Sequence, residues 1–307
     1  MSNETHGDAA GGGLAAVFRD ARPVVSVEFF PPKTDEGARQ IFDTAGALRE
    51  HRIAFASITY GAGGSTRERT LEYGALLRER HGFRVVPHLT CVGHPRAELA
   101  SLLDRILDGG FDGVFALRGD PPTGTGGAFV PPPDGFAHAA ELVALARERR
   151  AAAGAPDFAI GCAGYPEKHP EAPDAATDLR HLAAKVAAGA DFVTTQLFFD
   201  NAAFHAFERG CRAAGVSVPI IPGILPATSL AQAKKFCQFG ARLPAALEAR
   251  FEQCGGDAQA ERRAGLEWTL AQIRELLAGG APGFHLYILN RADPALELLA
   301  RLRDTEE

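Results

Sequence analysis

Five apolar runs of this 307-residue chain carry polar pairs, two residues apart, near their C-terminal ends. Ser26 and Glu28 form the first pair. Ser57 and Thr59, His88 and Thr90, Arg118 and Asp120, and Thr194 and Gln196 follow. Residues two apart on a strand share a face, so each pair points one way. Tyr165, Glu167 and His169 close another run, and Asn290 with Arg291 closes a last one. Glu28 is the sharpest case. It sits in "VVSVEFF" (24–30), among groups that normally exclude a charge, and Pro31-Pro32 stops the run. Taken singly, a strand-end acid is more often a cap or half of an ion pair, and His88 alone reads equally well as a core histidine. Seven strand ends carrying such groups change the weighing, because burying that many polar groups without a ligand is costly. The set suits an enzyme with a polar, extended ligand. Spacing does not name the reaction: the chain has no P-loop, no HExxH and no GxSxG.

The elements that must position these residues follow from the pattern. The runs are "VVSVEFF" (24–30), "IAFASITY" (53–60), "RVVPHLTC" (84–91), "GVFALRGD" (113–120), "AIGCAGYP" (159–166), "FVTTQLFF" (192–199), "PIIPGILP" (219–226) and "FHLYILNR" (284–291). Amphipathic stretches such as "ARQIFDTAGALREH" and "RAELASLLDRILDGG" separate them. Strand–helix alternation implies a parallel sheet, and eight such units in this length imply a (β/α)8 TIM barrel. The C-terminal ends of its strands are then the mouth where an active site lies. The rival, a doubly wound open sheet, usually opens on a Gly-rich turn, and no GxGxxG follows the first run. Residues 119–136 read as a Gly/Pro-rich loop. Extra helices are expected before the last strand, in "AALEARFEQC" and "ERRAGLEWTLAQIRELL", with a break at Gly255-Gly256. The domain reading is a flexible tail over residues 1–20 and a single barrel over 21–307.

Composition narrows the class further. Hydrophobic residues make up 46% of the chain and charged residues 23%, with a net charge of −6. That balance shows no basic stripe for nucleic acid, and no apolar run reaches membrane-spanning length. The N-terminus lacks the basic-then-apolar layout of a signal peptide. The five cysteines (Cys91, Cys162, Cys211, Cys237, Cys254) are scattered without a CxxC pair, which argues for packing roles in a reducing cytoplasm. No metal site, no nucleic acid and no membrane partner is expected. A homo-oligomer is.

The strand-end segments "EFFPPKT", "SITYGAGGSTRERT", "PHLTCVG", "LRGDPP", "GYPEKHPEA", "TTQLFFD", "IIPGILP", "QAKKF" and "LYILNRA" resemble, in order, those of the methylenetetrahydrofolate reductase family in its short bacterial form. The resemblance covers residues 24 to 300. It implies FAD at the barrel mouth and reduction of 5,10-methylenetetrahydrofolate to 5-methyltetrahydrofolate. The reductant would be NADH or NADPH, in a ping-pong hydride transfer through FAD that feeds methionine synthesis. FAD contacts are implied for Thr59, Tyr60, Ala62, His88, Arg118, Gly119, Asp120, Ala137, Tyr165, His169, Asp178 and Lys185. Folate contacts are implied for Gln196, Gln232, Phe236 and Arg291. Glu28 would be the general acid, its carboxyl raised by apolar neighbours, and Asp120 a second, electrostatic acid. His181 and Ala184 stand where some relatives carry Asn and Arg, at the adenosine end. Other classes weighed are a proline dehydrogenase-like flavin barrel, a cofactor-free barrel lyase and a non-catalytic folate-binding barrel.

Overall fold

The computed structural model describes residues 13–18, 23–61, 67–120 and 129–303. Eight parallel strands close into a barrel in sequence order. They are β1 (Val24–Phe29), β2 (Phe55–Ile58), β3 (Val85–Thr90), β4 (Gly113–Leu117), β5 (Ala159–Gly164), β6 (Phe192–Leu197), β7 (Ile220–Ile224) and β8 (Gly283–Tyr287). β1 pairs β8 as well as β2, so no edge is left. Around them lie α2 (Asp35–Leu48), α3 (Arg67–His81), α4 (Arg96–Asp108), α5 (Ala139–Ala152), α6 (Ala175–Ala188), α7 (Asn201–Ala213) and α11 (Ala292–Arg303). Local chemistry fixes where these helices start. Thr34 accepts from the Gly37 amide, Asp174 from that of Thr177, and Asp200 from that of Ala202.

The segment before β8 adds α8 (Leu230–Phe236), a 3-10 turn (Cys237–Phe239), α9 (Ala245–Glu252) and α10 (Ala258–Ala278). The break between α9 and α10 contains Gly255 and Gly256, both at positive φ, where glycine carries no steric penalty. Side-chain alternation splits the core in two. Val27 and Phe29 of β1 pack outward under the helices, whereas Val24, Phe55, Val86, Phe115, Ala159, Phe192 and Ile221 form a layer inside the barrel. Gly161 makes that layer possible. A Cβ there would come within 2.5 Å of the Phe192 ring and 2.6 Å of the Phe115 ring.

One stretch differs from the expectation of a tail over residues 1–20. Leu14–Val17 form a short helix, α1, and Leu14 is fully buried against the inner layer. Phe18 lies 5.3 Å from the Phe192 ring. Four residues of helix are too short to register as a periodic pattern, but one leucine suffices to cap the N-terminal end of the barrel. Residues 1–12, 19 and 20 of the expected tail lie outside the described residues, as do 121–128 of the expected loop. All five cysteines are free. No helix among the described residues is long and apolar enough to cross a membrane.

Candidate active site

Above the inner apolar layer the barrel turns polar. Ser26 and Glu28 of β1, Ser57 of β2, His88 of β3 and His285 of β8 are all buried there. The Ser26 hydroxyl lies 2.8 Å from His285 Nδ1, and the Ser57 hydroxyl 3.4 Å from its Nε2. The Glu28 carboxylate approaches His88 Nε2 at 3.5 Å and His285 Nε2 at 4.0 Å. His88 stacks on Phe115, and His285 on Phe55. Burial governs the charge of the whole group. It raises the Glu28 carboxyl to about 8, against a smaller lowering by the Ser57 hydrogen bond. Burial also pushes His88 and His285 down to about 3. Both shifts favour the neutral pairing, with the proton on the Glu28 carboxyl rather than on either imidazole. Tyr287, whose hydroxyl donates to the Thr195 carbonyl at 2.7 Å, is raised well above its usual range by the same burial.

A cavity of about 310 Å³ opens upward from Glu28 to the strand C-termini. Thr59, His88, Arg118, Gly119, Asp120 and Gln196 line it, and Phe236 and Phe239 stand at its mouth. Gly119 has φ +86°, and a Cβ there would lie 2.7 Å from Val92. Only glycine lets the chain turn between Arg118 and Asp120 so that both line the cavity. A second cavity of about 350 Å³ shares the walls Leu117, Arg118, Ala163, Tyr165 and His169, and runs outward to Asp178, His181 and Lys185. Arg118 stands at the junction. Its guanidinium makes a bidentate pair with Glu171 at 2.6 and 2.8 Å. That pair raises the arginine and lowers the glutamate. The loop carrying His169 and Glu171 is held by Asp178, which accepts from the His169 amide at 3.0 Å, and by Lys168, whose ammonium donates to the Ala172 carbonyl at 2.5 Å.

The expected residues divide into three groups. Thr59, His88, Arg118, Gly119, Asp120, Tyr165, His169, Asp178, Lys185, Gln196 and Phe236 all line one or both cavities beside Glu28. Tyr60, Ala137, Gln232 and Arg291 do not. The Tyr60 hydroxyl turns away to His94 Nε2 at 3.2 Å. The Ala137 amide donates to Glu141 in the cap of α5. The Gln232 carboxamide oxygen accepts from the amide and hydroxyl of Thr228 at 2.8 and 2.9 Å, closing its own helix start. Arg291 is exposed on a separate surface hollow with Arg39 and Asp293. Ala62 lies outside the described residues. His285, Tyr287 and Phe239 line the cavity but were not singled out from sequence. The alternation of His285 and Tyr287 in "FHLYIL" was the available signal.

The donor set fits a flavin nucleotide. The first cavity has apolar and aromatic walls around the buried Thr194 hydroxyl, which has no hydrogen-bond partner among the described residues. A guanidinium stands where the two cavities meet. The barrel mouth thus holds a buried carboxyl and a guanidinium along two adjoining cavities. The methylenetetrahydrofolate reductase family profile matches residues 14–303. A 5,10-methylenetetrahydrofolate reductase of Salmonella typhimurium is 38% identical over 270 residues, 88% of this chain and 87% of that one. That of Escherichia coli is 37% identical over the same coverage. A methylenetetrahydrofolate reductase (NADH) of Arabidopsis thaliana is 35% identical over 94% of this chain but only 50% of its own length. The chain belongs to the methylenetetrahydrofolate reductase family. In fold it is also similar to a Clostridium thermocellum protein that binds two copies of 5-methyl-5,6,7,8-tetrahydrofolic acid. That match has a TM-score of 0.63 and 13% identity, and covers 94% of this chain and 98% of that one.

Proposed function

We propose that this protein reduces 5,10-methylenetetrahydrofolate to 5-methyltetrahydrofolate, using NADH or NADPH, with FAD bound across the two cavities. Family membership supports the reaction. The observation that carries the mechanism is the buried carboxyl of Glu28, raised to about 8 at the cavity floor. FAD bound there would supply the hydride transfer between nicotinamide and folate, and the two substrates would use one site in turn. Arg118 is suited to the pyrophosphate, because a rigid guanidinium matches phosphate oxygens. Glu171 would have to share it. Thr59, His88, Gly119, Tyr165, His169, Asp178 and Lys185 would complete the FAD site.

The remaining chemistry belongs to the chain. The folate's five-membered ring must open before its bridging carbon can accept hydride. Opening leaves negative charge on the departing nitrogen unless an acid supplies a proton. Burial favours the protonated form of Glu28, which faces the cavity, so it is the donor. His88 and His285, both neutral, place no positive charge beside it that would favour the carboxylate. Asp120 acts through its charge, holding the pterin and disfavouring the reduced flavin anion. Gln196 offers a carboxamide to the folate, and Phe236 with Phe239 closes the exposed side.

The test is an absorbance spectrum of the purified protein. It should be yellow, bleach on addition of NADH or NADPH, and regain colour when methylenetetrahydrofolate follows. A colourless protein that binds no FAD, or bleached flavin that the folate does not reoxidise, would overturn the proposal.

A further inference from the structure

The opposite, N-terminal end of the barrel carries a second built hollow that shares no residue with the catalytic cavities. It measures about 380 Å³ and lies outside the barrel, under the junction of β1 and β8. Val25 and Phe284, which face each other in the β1–β8 register, form its apolar floor. Leu277 of α10 and Leu299 and Leu302 of α11 form its apolar walls. Its rim is cationic. Among the described residues, Arg52, Arg274 and Arg303 line it with one carboxylate, Glu50. None of the three arginines has an ion pair among the described residues.

Two further observations point to a ligand. His51 lines this hollow, and its buried Nδ1 has no hydrogen-bond partner among the described residues, a state that natural structures rarely leave unanswered. Arg52 holds a left-handed backbone, φ +46°, which a non-glycine residue adopts at a cost. Glycine would adopt this φ without that cost.

We infer that this hollow binds an amphipathic carboxylate, with its apolar tail on Val25, Phe284, Leu299 and Leu302 and its head among Arg52, Arg274 and Arg303. Guanidinium groups present paired donors that match a carboxylate in a plane. Apolar walls below a charged rim suit a ligand with both characters. Neither a purely apolar molecule nor a small anion uses both halves.

The test uses the full-length, FAD-loaded protein with octanoate as probe, followed by calorimetry and thermal unfolding. Octanol supplies the tail without the charge, and acetate the charge without the tail. Octanoate should bind and raise the unfolding midpoint, whereas octanol and acetate should do neither at the same concentration. The double substitution Arg274→Gln and Arg303→Gln, both on exposed side chains, should weaken octanoate by at least about tenfold, the usual scale for a charge-assisted hydrogen bond. Arg52→Gly relieves the backbone and removes one guanidinium. It should keep or raise the midpoint without ligand while weakening octanoate. Each of these results would overturn the inference: no octanoate binding at millimolar concentration, octanol binding equally well, arginine variants binding as before, or octanoate competing with methylenetetrahydrofolate.

Discussion

Replacing Glu28 with Gln should make the protein's stability less dependent on pH, and the sign can be worked from the site. Burial raises the Glu28 carboxyl from 4.5 to about 8. Between those values the native state keeps a proton that the unfolded chain has released, so stability falls as pH rises. His88 and His285 act in the opposite sense. Burial lowers them from 6.5 to about 3, so they contribute stability above 6.5 that is lost as pH falls toward 3. Above pH 6.5 only Glu28 of the three still changes its contribution. Each pH unit in that window costs about 1.4 kcal/mol, so the wild-type protein should lose roughly 2 kcal/mol between pH 6.5 and 8 through this group. Glu28→Gln keeps the size and a neutral donor, and cannot ionise. Urea unfolding of both FAD-saturated proteins, followed by circular dichroism at half-unit steps from pH 6.5 to 8.5, measures the difference. The gap between variant and wild type should shift by that amount in favour of Gln as pH rises. A gap that stays constant across the window would mean that Glu28 is ionised in the native protein, and the acid assignment would fail.

Three other outcomes follow from the geometry. Leu14→Ala should cost about 2 kcal/mol or more, as truncation of a fully buried leucine does, while removal of residues 1–12 should leave the thermal midpoint unchanged; a melt of each decides it, and equal midpoints would leave α1 without a role. Asp120→Asn should still bind FAD but slow folate reduction and raise the flavin's potential, because a negative charge near the reduced anion is lost; a spectroelectrochemical titration with an unmoved potential, together with wild-type turnover, would return Asp120 to a structural role. The proposed use of one site by both substrates predicts parallel double-reciprocal lines in steady-state kinetics with varied nicotinamide and folate; intersecting lines would require a ternary complex.

Much of this was legible because a parallel barrel converts sequence into position with few choices. Strand C-termini form the mouth, and alternation sends Ser26 with Glu28, and Thr194 with Gln196, inward together. What alternation does not give is depth and direction beyond the strand. Tyr60 follows β2, where the backbone leaves the sheet, and its ring turns out to His94. Gln232 and Phe236 sit four apart on α8, yet only Phe236 lines the cavity. The Gln232 carboxamide is drawn back to Thr228 at the helix start. His285 was hidden by its apolar neighbours in β8 and became visible only once the strand register set it beside Ser26 and Glu28. Helix α1 is too short for any periodic signal, and its anchoring rests on tertiary contact alone.

The central claim is that Glu28 supplies a proton to the folate and nothing to the nicotinamide. Stopped-flow absorbance on Glu28→Gln separates the two half-reactions. Flavin bleaching by NADH or NADPH should run near the wild-type rate, because hydride transfer needs no carboxylic acid from the protein. Reoxidation of the reduced flavin by methylenetetrahydrofolate should slow by at least about a hundredfold, the lower end of what general acid catalysis contributes. Equal slowing of both half-reactions would make Glu28 an organiser of the site, and no slowing of either would contradict the account.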